Sequence, residues 1–590
     1  MCGINGYIDI NEKIDLSIIQ SMTDKLIHRG PDSGSVFISK NQHLSFGHRR
    51  LSFLDLSSIG NQPMISNNGE VVITFNGEIY NYLELKAELA QVYDFKTNTD
   101  TEVIIAGYEK WGIEVVNKLK GMFAFGLFDQ KLNKLFLVRD RFGIKPMYYS
   151  FLDSKLFFAS ELKAILAPKI IKQEIDFSAF ADYFVYRYIP SPKTIWKGIN
   201  KLPPSTYATI NLYDLSYGLT EYWKLKASDK TVSQVEIVNE VRAIITKSVL
   251  NHVRADVPIG SFLSGGYDSS AILLFMKKLK MSPETFTIGF SDWERSEDHF
   301  AKIVAKHLQV TNQSIEADEK SLDLVNSMSE VYDEPIADIS IIPTYMVSQL
   351  ASTKVKAVLS GEGADEIFGG YTWQYDFYKK RHYGTLLSKL KQKMFGIDTV
   401  SFYANAMVMG KFDKDELKKM LHPRLHRFIP NDVHWFYRKN FDANLSPLKS
   451  IQLLDIKCFM GELVLTKIDR ASMANSLEVR VPFLNHELIE FIFSLDENSY
   501  FDIKQTKKVL FEQIKEELPT LILNRKKQGF VGPDSYYMNI KWYENQLKNC
   551  KLVELNIINQ AYIDNLLKET YNWKLWKLLI MEKWIQKWLD

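Results

Sequence analysis

Up to about residue 165 the apolar positions come in short runs broken by turns. Residues 71–75 stop at Asn76-Gly77, residues 122–128 form an unbroken apolar run, and residues 134–138 lead into Arg139-Asp140. Runs of this length and composition predict strands. Two stretches with helical spacing, 82–91 and 101–111, lie between them. Short strands with inserted helices predict an α+β domain of stacked antiparallel sheets. A passage rich in Pro and polar residues follows at 188–205, with Ile189-Pro190-Ser191-Pro192 and Leu202-Pro203-Pro204-Ser205, and reads as an ordered connector.

From about residue 231 the period changes. Residues 232–252 predict a long amphipathic helix, 257–263 a strand, and 269–280 a helix entered through a glycine-rich turn. Thr285–Phe290, Glu297–Leu308 and 356–359 continue as strand, helix, strand. Alternation of this kind predicts an α/β domain with a parallel sheet covered by helices. The remainder reads as mostly helical, without internal repeats. The last helix, 571–588, is rich in Trp, Leu and Lys. A membrane-surface helix has that composition, but so does a packing face with snorkelling lysines, which is the reading preferred here.

Length and composition narrow the field. A chain of 590 residues exceeds one hydrophobic core, and the expected domains are 1–205, ending with the Pro-rich connector, and 206–590. A net charge of +2, with basic residues dispersed, gives no field for nucleic acid or a membrane surface. Cys2, Cys458 and Cys550 are too few and too scattered for a disulfide framework or a thiolate zinc site. The N-terminal residues do not read as a secretory signal, and apolar runs such as 336–347 are interrupted by Asp, Ser or Pro. The expectation is a cytoplasmic protein without a membrane span.

Two constellations carry chemistry. Cys2 directly follows Met1 and precedes the small Gly3. Removal of Met1 leaves a free α-amine, with a pKa of about 8, beside the thiol: a nucleophile and its base from one residue. The alternative is an incidental cysteine near a frayed terminus. The second is Ser264-Gly265-Gly266-Tyr267-Asp268-Ser269-Ser270 between a strand and a helix. Glycines let a backbone approach phosphates, and the helix N-terminus supplies N–H groups. It lacks the Gly-Lys-Ser/Thr ending of the loop that transfers a γ-phosphate. A plain strand-to-helix connection is the alternative. A further acidic, glycine-rich segment runs from Ser360-Gly361-Glu362-Gly363-Ala364-Asp365 to Gly369-Gly370-Tyr371, which by itself also reads as an acidic turn before a helix.

The motifs taken together resemble a known family. Cys2-Gly3-Ile4, His28-Arg29-Gly30-Pro31-Asp32, Arg50-Leu51-Ser52, Asn76-Gly77-Glu78-Ile79-Tyr80-Asn81, Thr99-Asp100-Thr101-Glu102 and Arg139-Asp140-Arg141-Phe142-Gly143-Ile144-Lys145-Pro146 stand in the order of the class II, N-terminal-nucleophile glutamine amidotransferases. The loop at Ser264 resembles that of ATP pyrophosphatases, which cleave ATP between the α and β phosphates. With Asp469-Arg470-Ala471-Ser472-Met473-Ala474 and Leu477-Glu478-Val479-Arg480-Val481-Pro482-Phe483-Leu484, nearly the whole chain resembles the glutamine-using asparagine synthetases.

That resemblance implies a set of roles. Cys2 attacks the glutamine amide; Asn76 and Gly77 form the oxyanion hole; Arg50 holds the glutamine α-carboxylate; Glu78 and Asp100 hold its α-ammonium, with Asn76 also at the bound glutamine. Taken singly, Asn76-Gly77 also reads as a hairpin turn, Arg50 as a surface ion pair and Asp100 as a helix N-cap. Ser264, Gly265, Gly266 and Ser269 would cradle ATP phosphates, with Asp268 and Asp365 holding Mg²⁺. Leu263, Ile288, Ser360 and Gly361 would contact the adenosine, and Glu362 would handle a proton from ammonia. Lys507 would stabilise charge on the activated phosphate, although its neighbour Lys508 leaves that placement open by one residue. The implied reaction amidates aspartate or another carboxylate, since relatives act on sugar acids and peptide carboxylates. The resemblance also suggests a homodimer. Tyr267, Ile339 and Asn485 depart from the family pattern, and Ile339 bears on which carboxylate is accepted.

Overall fold

The computed structural model describes residues 2–291, 293–383, 398–525, 528–569 and 572–589. Its N-terminal part holds two six-stranded antiparallel sheets. One runs in the order Ile199–Lys201, Tyr148–Leu152, Lys155–Ala159, Gly3–Asp9, Leu44–Arg50, Ser33–Ile38. The other runs Tyr217–Glu221, Thr206–Asn211, Lys134–Arg139, Gly121–Asp129, Val71–Ile79, Met64–Ile65. Apolar side chains of alternate positions meet between the sheets, with Ile4, Ile8 and Phe46 of the first against Val72, Ala124 and Leu137 of the second. The outer face of the second sheet is covered by the helices Tyr82–Leu89 and Asp100–Trp111, and that of the first by Leu16–Asp24. The result is the stacked α+β arrangement that the pattern of short runs predicts. The Pro-rich connector is ordered, and its Ile199–Lys201 forms the edge of the first sheet by pairing with Tyr148–Leu152.

The C-terminal part is built on a five-stranded parallel sheet in the order Asn312–Ala317, Thr285–Phe290, Ile259–Phe262, Ala357–Leu359, Glu478–Arg480. Strands Thr285–Phe290 and Ile259–Phe262 are buried between the helices that cross over them, as in other parallel sheets. The helix expected at 232–252 spans Gln234–His252, capped by Ser233, whose side chain accepts from the Glu236 N–H.

The last helix, Trp573–Trp588, is a packing element, with Trp576 and Trp584 fully buried; residue 571 lies outside the described residues. Its lysines do not all snorkel: the Lys577 ammonium is buried and donates to the carbonyls of Phe184 at 2.6 Å and Gly410 at 3.0 Å. Among the described residues no helix is long and apolar enough to cross a membrane.

Candidate active sites

The first site forms where the strand Gly3–Asp9 begins and the strand Val71–Ile79 ends. Cys2 is 8% exposed, and its backbone N–H donates to Asn76 Oδ1 at 3.0 Å. Asn76 and Gly77 are ladder residues, paired with Ala124 and Phe123, so they do not make a hairpin turn. Asn76 is fully buried, and its Nδ2 has no hydrogen-bond partner among the described residues. Leaving such a donor unsatisfied costs about 1–3 kcal/mol, which fits a group held for an oxygen that arrives with a substrate. Gly77 is dictated by close approach, because a Cβ there would lie 2.1 Å from the Met122 carbonyl oxygen.

Arg50 ends the strand Leu44–Arg50 and is not a surface ion pair. Its guanidinium donates to Ser57 O at 2.8 Å, Asn61 Oδ1 at 3.0 Å, Leu54 O at 3.1 Å and Asp55 O at 2.6 Å, all neutral acceptors. The planar fork is thereby oriented without an ion pair among the described residues, an arrangement suited to a carboxylate. Asp100 opens the helix Asp100–Trp111 but turns its Oδ2 to the Ile79 N–H at 2.8 Å, while Thr99 occupies the cap position. Burial pushes Asp100 up to about 6. Burial also drives Glu78 well above the usual carboxylate range against the pull of Arg480, with Glu478 and Asp100 adding repulsion. A cleft of about 360 Å³ connects Cys2, Arg50, Gly77, Glu78 and Asp100. Burial raises the Cys2 thiol above its ordinary value, although a Leu51 backbone hydrogen bond and the Arg50 charge act against this. The thiol therefore requires a base at close range.

The second site lies at the carboxyl ends of the parallel strands, the usual place for a ligand crevice in such a sheet. Ile259–Phe262 leads through Leu263 and the glycine loop into the helix Tyr267–Lys278. Gly265 has φ +69°, and a Cβ there would sit 2.5 Å from the Phe300 carbonyl carbon. Ser269 Oγ accepts from the Ser264 N–H at 3.1 Å, and Ser264 Oγ accepts from the Gly266 N–H at 3.3 Å, so the loop is held from within. Leu263, just past the strand Ile259–Phe262, and Ile288, within the neighbouring strand Thr285–Phe290, are both buried, and Ser360 and Gly361 open the next loop, with Gly361 packed against Asp268.

Lys507, 2% exposed, reaches between the two loops. Its Nζ lies 2.5 Å from Asp268 Oδ1 and 2.6 Å from Asp365 Oδ1, whereas Lys508 turns away to the Ser499 carbonyl at 3.4 Å. Of the two adjacent lysines, Lys507 is the one placed between the loops. Gly370 makes room for this cluster, since a Cβ there would lie 1.8 Å from Asp365 Oδ1 and 2.4 Å from Lys507 Cε. Glu362 is half-buried, but its Oε2 is buried and lacks a hydrogen-bond partner among the described residues, and desolvation raises its carboxyl above the ordinary range.

Two of the three departures from the family pattern have local explanations. Tyr267 leaves the loop, donating its hydroxyl to the Leu523 carbonyl and packing against Phe511. Asn485 caps the helix His486–Ser494 by accepting from the Glu487 and Leu488 N–H groups, a task Asn and Asp perform about equally. Ile339 is half-buried, and its carbonyl accepts from the Tyr537 hydroxyl at 2.8 Å.

Residues without an assigned role in the sequence reading join the two sites. Arg29, fully buried, donates Nε to the Cys2 carbonyl at 3.1 Å and forks onto Asp469 of the C-terminal part. Arg480 lies 3.2 Å from Glu78. Both belong to quoted motifs, but their partners stand hundreds of residues away.

The geometry defines a two-site enzyme, with a buried N-terminal thiol facing an oriented guanidinium and a glycine-loop crevice holding two carboxylates and a lysine. Comparison with known proteins agrees. Residues 1–223 match the glutamine amidotransferase domain and residues 240–586 match the asparagine synthase model. The chain is 33% identical to asparagine synthetase [glutamine-hydrolyzing] 1 of Bacillus subtilis, covering 99% of this chain and 96% of that one. It is 34% identical to the putative asparagine synthetase [glutamine-hydrolyzing] 2 of Methanocaldococcus jannaschii, covering 82% of this chain and all of that one. A putative asparagine synthetase of Mycobacterium tuberculosis is 32% identical over 96% of this chain and 93% of its own length. The chain belongs to the glutamine-hydrolysing asparagine synthetase family.

Proposed function

We propose that this enzyme amidates the side-chain carboxylate of aspartate, using glutamine as nitrogen donor and ATP as activator. The observation that carries this reading is one chain in which Cys2 faces a buried, unpaired amide donor while Lys507 lies between the carboxylates of two glycine loops.

At the first site, Cys2 Sγ attacks the side-chain carbonyl of glutamine. The thiol proton passes to the Cys2 α-amine, freed when Met1 is absent, and then to the departing nitrogen. Asn76 Nδ2 and the Gly77 N–H stabilise the oxyanion. Arg50 takes the α-carboxylate, and Glu78 and Asp100 take the α-ammonium. Water then releases glutamate from the thioester.

At the second site, the aspartate carboxylate attacks the α-phosphorus of ATP, pyrophosphate leaves, and ammonia displaces AMP from the acyl-adenylate. The loop from Ser264 to Ser269 holds phosphates, Leu263, Ile288, Ser360 and Gly361 bound the adenosine, and Lys507 offsets charge on the phosphates. Glu362 accepts the proton that ammonia must shed. Asp268 and Asp365 are hard oxygen donors already converging on one cation, the Lys507 ammonium, and so fit Mg²⁺. Such an ion, when bound, would neutralise phosphate charge. A single apolar cluster holds Leu51, Met122 and Ile144 of the N-terminal part with Leu263 and Leu484 of the C-terminal part, and ammonia that crosses between the sites through such apolar packing would stay unprotonated.

The test is release of AMP and pyrophosphate with Mg·ATP and glutamine, comparing L-aspartate with a panel of carboxylates that includes a uronic acid. Release dependent on aspartate, with asparagine found by mass, supports the reading. Release dependent on another carboxylate alone moves the acceptor and makes Ile339 the first residue to examine.

A further inference from the structure

The edge strand Glu478–Arg480 lies parallel to Ala357–Leu359, with Leu359 opposite Arg480. Glu478 and Arg480, two apart, project from one face of the sheet, and both are fully buried. The backbone carbonyl of Arg480 accepts from the Ser360 N–H at 2.9 Å. Ser360 begins the Ser360-Gly361-Glu362 loop of the second site. The side chain of the same arginine runs the other way, into the first site, where its Nη2 lies 3.2 Å from Glu78 Oε1. One residue therefore touches the proposed nucleotide loop with its backbone and the proposed glutamine subsite with its guanidinium.

The remaining contacts fix that guanidinium like a lever. Nε donates to Glu478 Oε1 at 2.5 Å, and Nη1 donates to the His252 carbonyl at 2.7 Å and the Arg254 carbonyl at 2.9 Å. Its plane lies 5.1 Å from the ring of Phe53, which lines the glutamine cleft. Among the described residues Nη2 makes no aligned hydrogen bond, so its contact with Glu78 is an ion pair at short range. Glu78 thus has two claimants in the proposed cycle: the arginine and the α-ammonium of glutamine. The guanidinium is a rigid planar fork held between its own strand and the carbonyls of His252 and Arg254, so a shift of the strand at Ser360 relative to those carbonyls changes the separation of Nη2 from Glu78.

We propose that Arg480 is the positioning residue through which occupancy of the second site sets the glutamine affinity of the first. This inference rests on the two-site reading above. When ATP and acceptor order the Ser360–Glu362 loop, the strand carries the Arg480 guanidinium relative to Glu78, and the share of the Glu78 charge available to glutamine changes. Linkage makes the effect reciprocal: glutamine binding shifts nucleotide affinity by the same factor.

The experiment uses the full chain. Glutaminase KM and kcat are measured with the second site empty and with it loaded by Mg²⁺, a non-cleavable α,β-methylene ATP and aspartate. Wild type is expected to shift its KM for glutamine by about fivefold or more on loading, the usual scale of such coupling. R480K keeps a positive charge but loses the fork, so its loaded and unloaded KM values are expected to coincide, with ammonia-dependent AMP formation retained. E478Q, which frees the fork from one anchor, is expected to reduce the shift and serves as the independent variant should R480K fail to fold. An equal shift in wild type, R480K and E478Q overturns the proposal, as does a wild type with both activities and no shift. A wild type lacking glutaminase or acceptor-dependent AMP formation instead overturns the underlying functional reading, so the two failures are distinguishable.

Discussion

Arg29 and Asp469, 440 residues apart, face each other through two hydrogen bonds, Nη1 to Oδ2 at 2.8 Å and Nη2 to Oδ1 at 2.9 Å. The pair is buried at 0% and 5% side-chain exposure, and Arg29 Nη1 also meets Glu161 at 2.7 Å. Since the same arginine holds the Cys2 carbonyl, the nucleophile is anchored to the C-terminal part of the chain through a single side chain.

Asp469→Asn removes one of the two carboxylates that hold the buried Arg29 guanidinium and leaves Glu161 as its charged partner. The expected loss is about 1.5–3 kcal/mol, the scale of a hydrogen bond to a charged group, read as a lower midpoint in urea unfolding, together with a fall in glutaminase kcat. A change within about 0.5 kcal/mol, the usual range for a surface substitution, would show that the pair does not tie the two parts together.

Asn76→Ala deletes the buried donor opposite Cys2. Loss of one oxyanion donor typically lowers kcat by about 10²–10³, so glutaminase kcat should fall on that scale with KM nearly unchanged. Ammonia-dependent synthesis should persist. A variant that loses KM and keeps kcat would place Asn76 in ground-state binding instead.

Gly370→Ala introduces a methyl group into the space taken by the Asp365 carboxylate and the Lys507 stem. AMP formation should collapse with ammonia or glutamine as nitrogen source, while glutaminase activity remains. Retained AMP formation would mean that the Asp268–Lys507–Asp365 cluster is dispensable.

The KM for glutamine should depend on pH through Asp100. Its ionised form is the one that meets an α-ammonium, and its carboxyl takes up a proton as pH falls through about 6. KM therefore rises as pH falls through that value, by about tenfold for each further pH unit from this one group, on top of whatever Glu78, raised on the same subsite, contributes. Asp100→Asn should raise KM and remove the step. A step that survives the substitution belongs to another group.

Much of this was legible because local pattern and local chemistry coincide. Strand Thr285–Phe290 and helix Glu297–Leu308 fall where their apolar spacing puts them, and the loop at Ser264 joins a strand to a helix as its glycines require. Asn76-Gly77 misleads when read alone, because a dipeptide common in turns sits here inside a nine-residue strand, Val71–Ile79, held by pairing to a distant segment. The choice between Lys507 and Lys508 depends on which side chain faces Asp268, which adjacent positions cannot disclose. Lys577 shows the same limit: its burial follows from carbonyls at Phe184 and Gly410, far along the chain. The roles of Arg29 and Arg480 were illegible for that reason too. Their motifs were visible, but a pairing such as Glu78 with Arg480 exists only once two sheets have folded and met.

The central claim is that nitrogen freed at Cys2 is the nitrogen installed at the second site. The direct measurement supplies amide-¹⁵N glutamine, Mg·ATP and aspartate in a bath of unlabelled ammonium chloride, and reads the product's side-chain amide by mass. Product labelled well above the isotopic ratio of free ammonium, with the label lost in Cys2→Ala while unlabelled product still forms, is the predicted result. Product carrying only the isotopic ratio of the bath would contradict it, since the two sites would then share nothing but solvent.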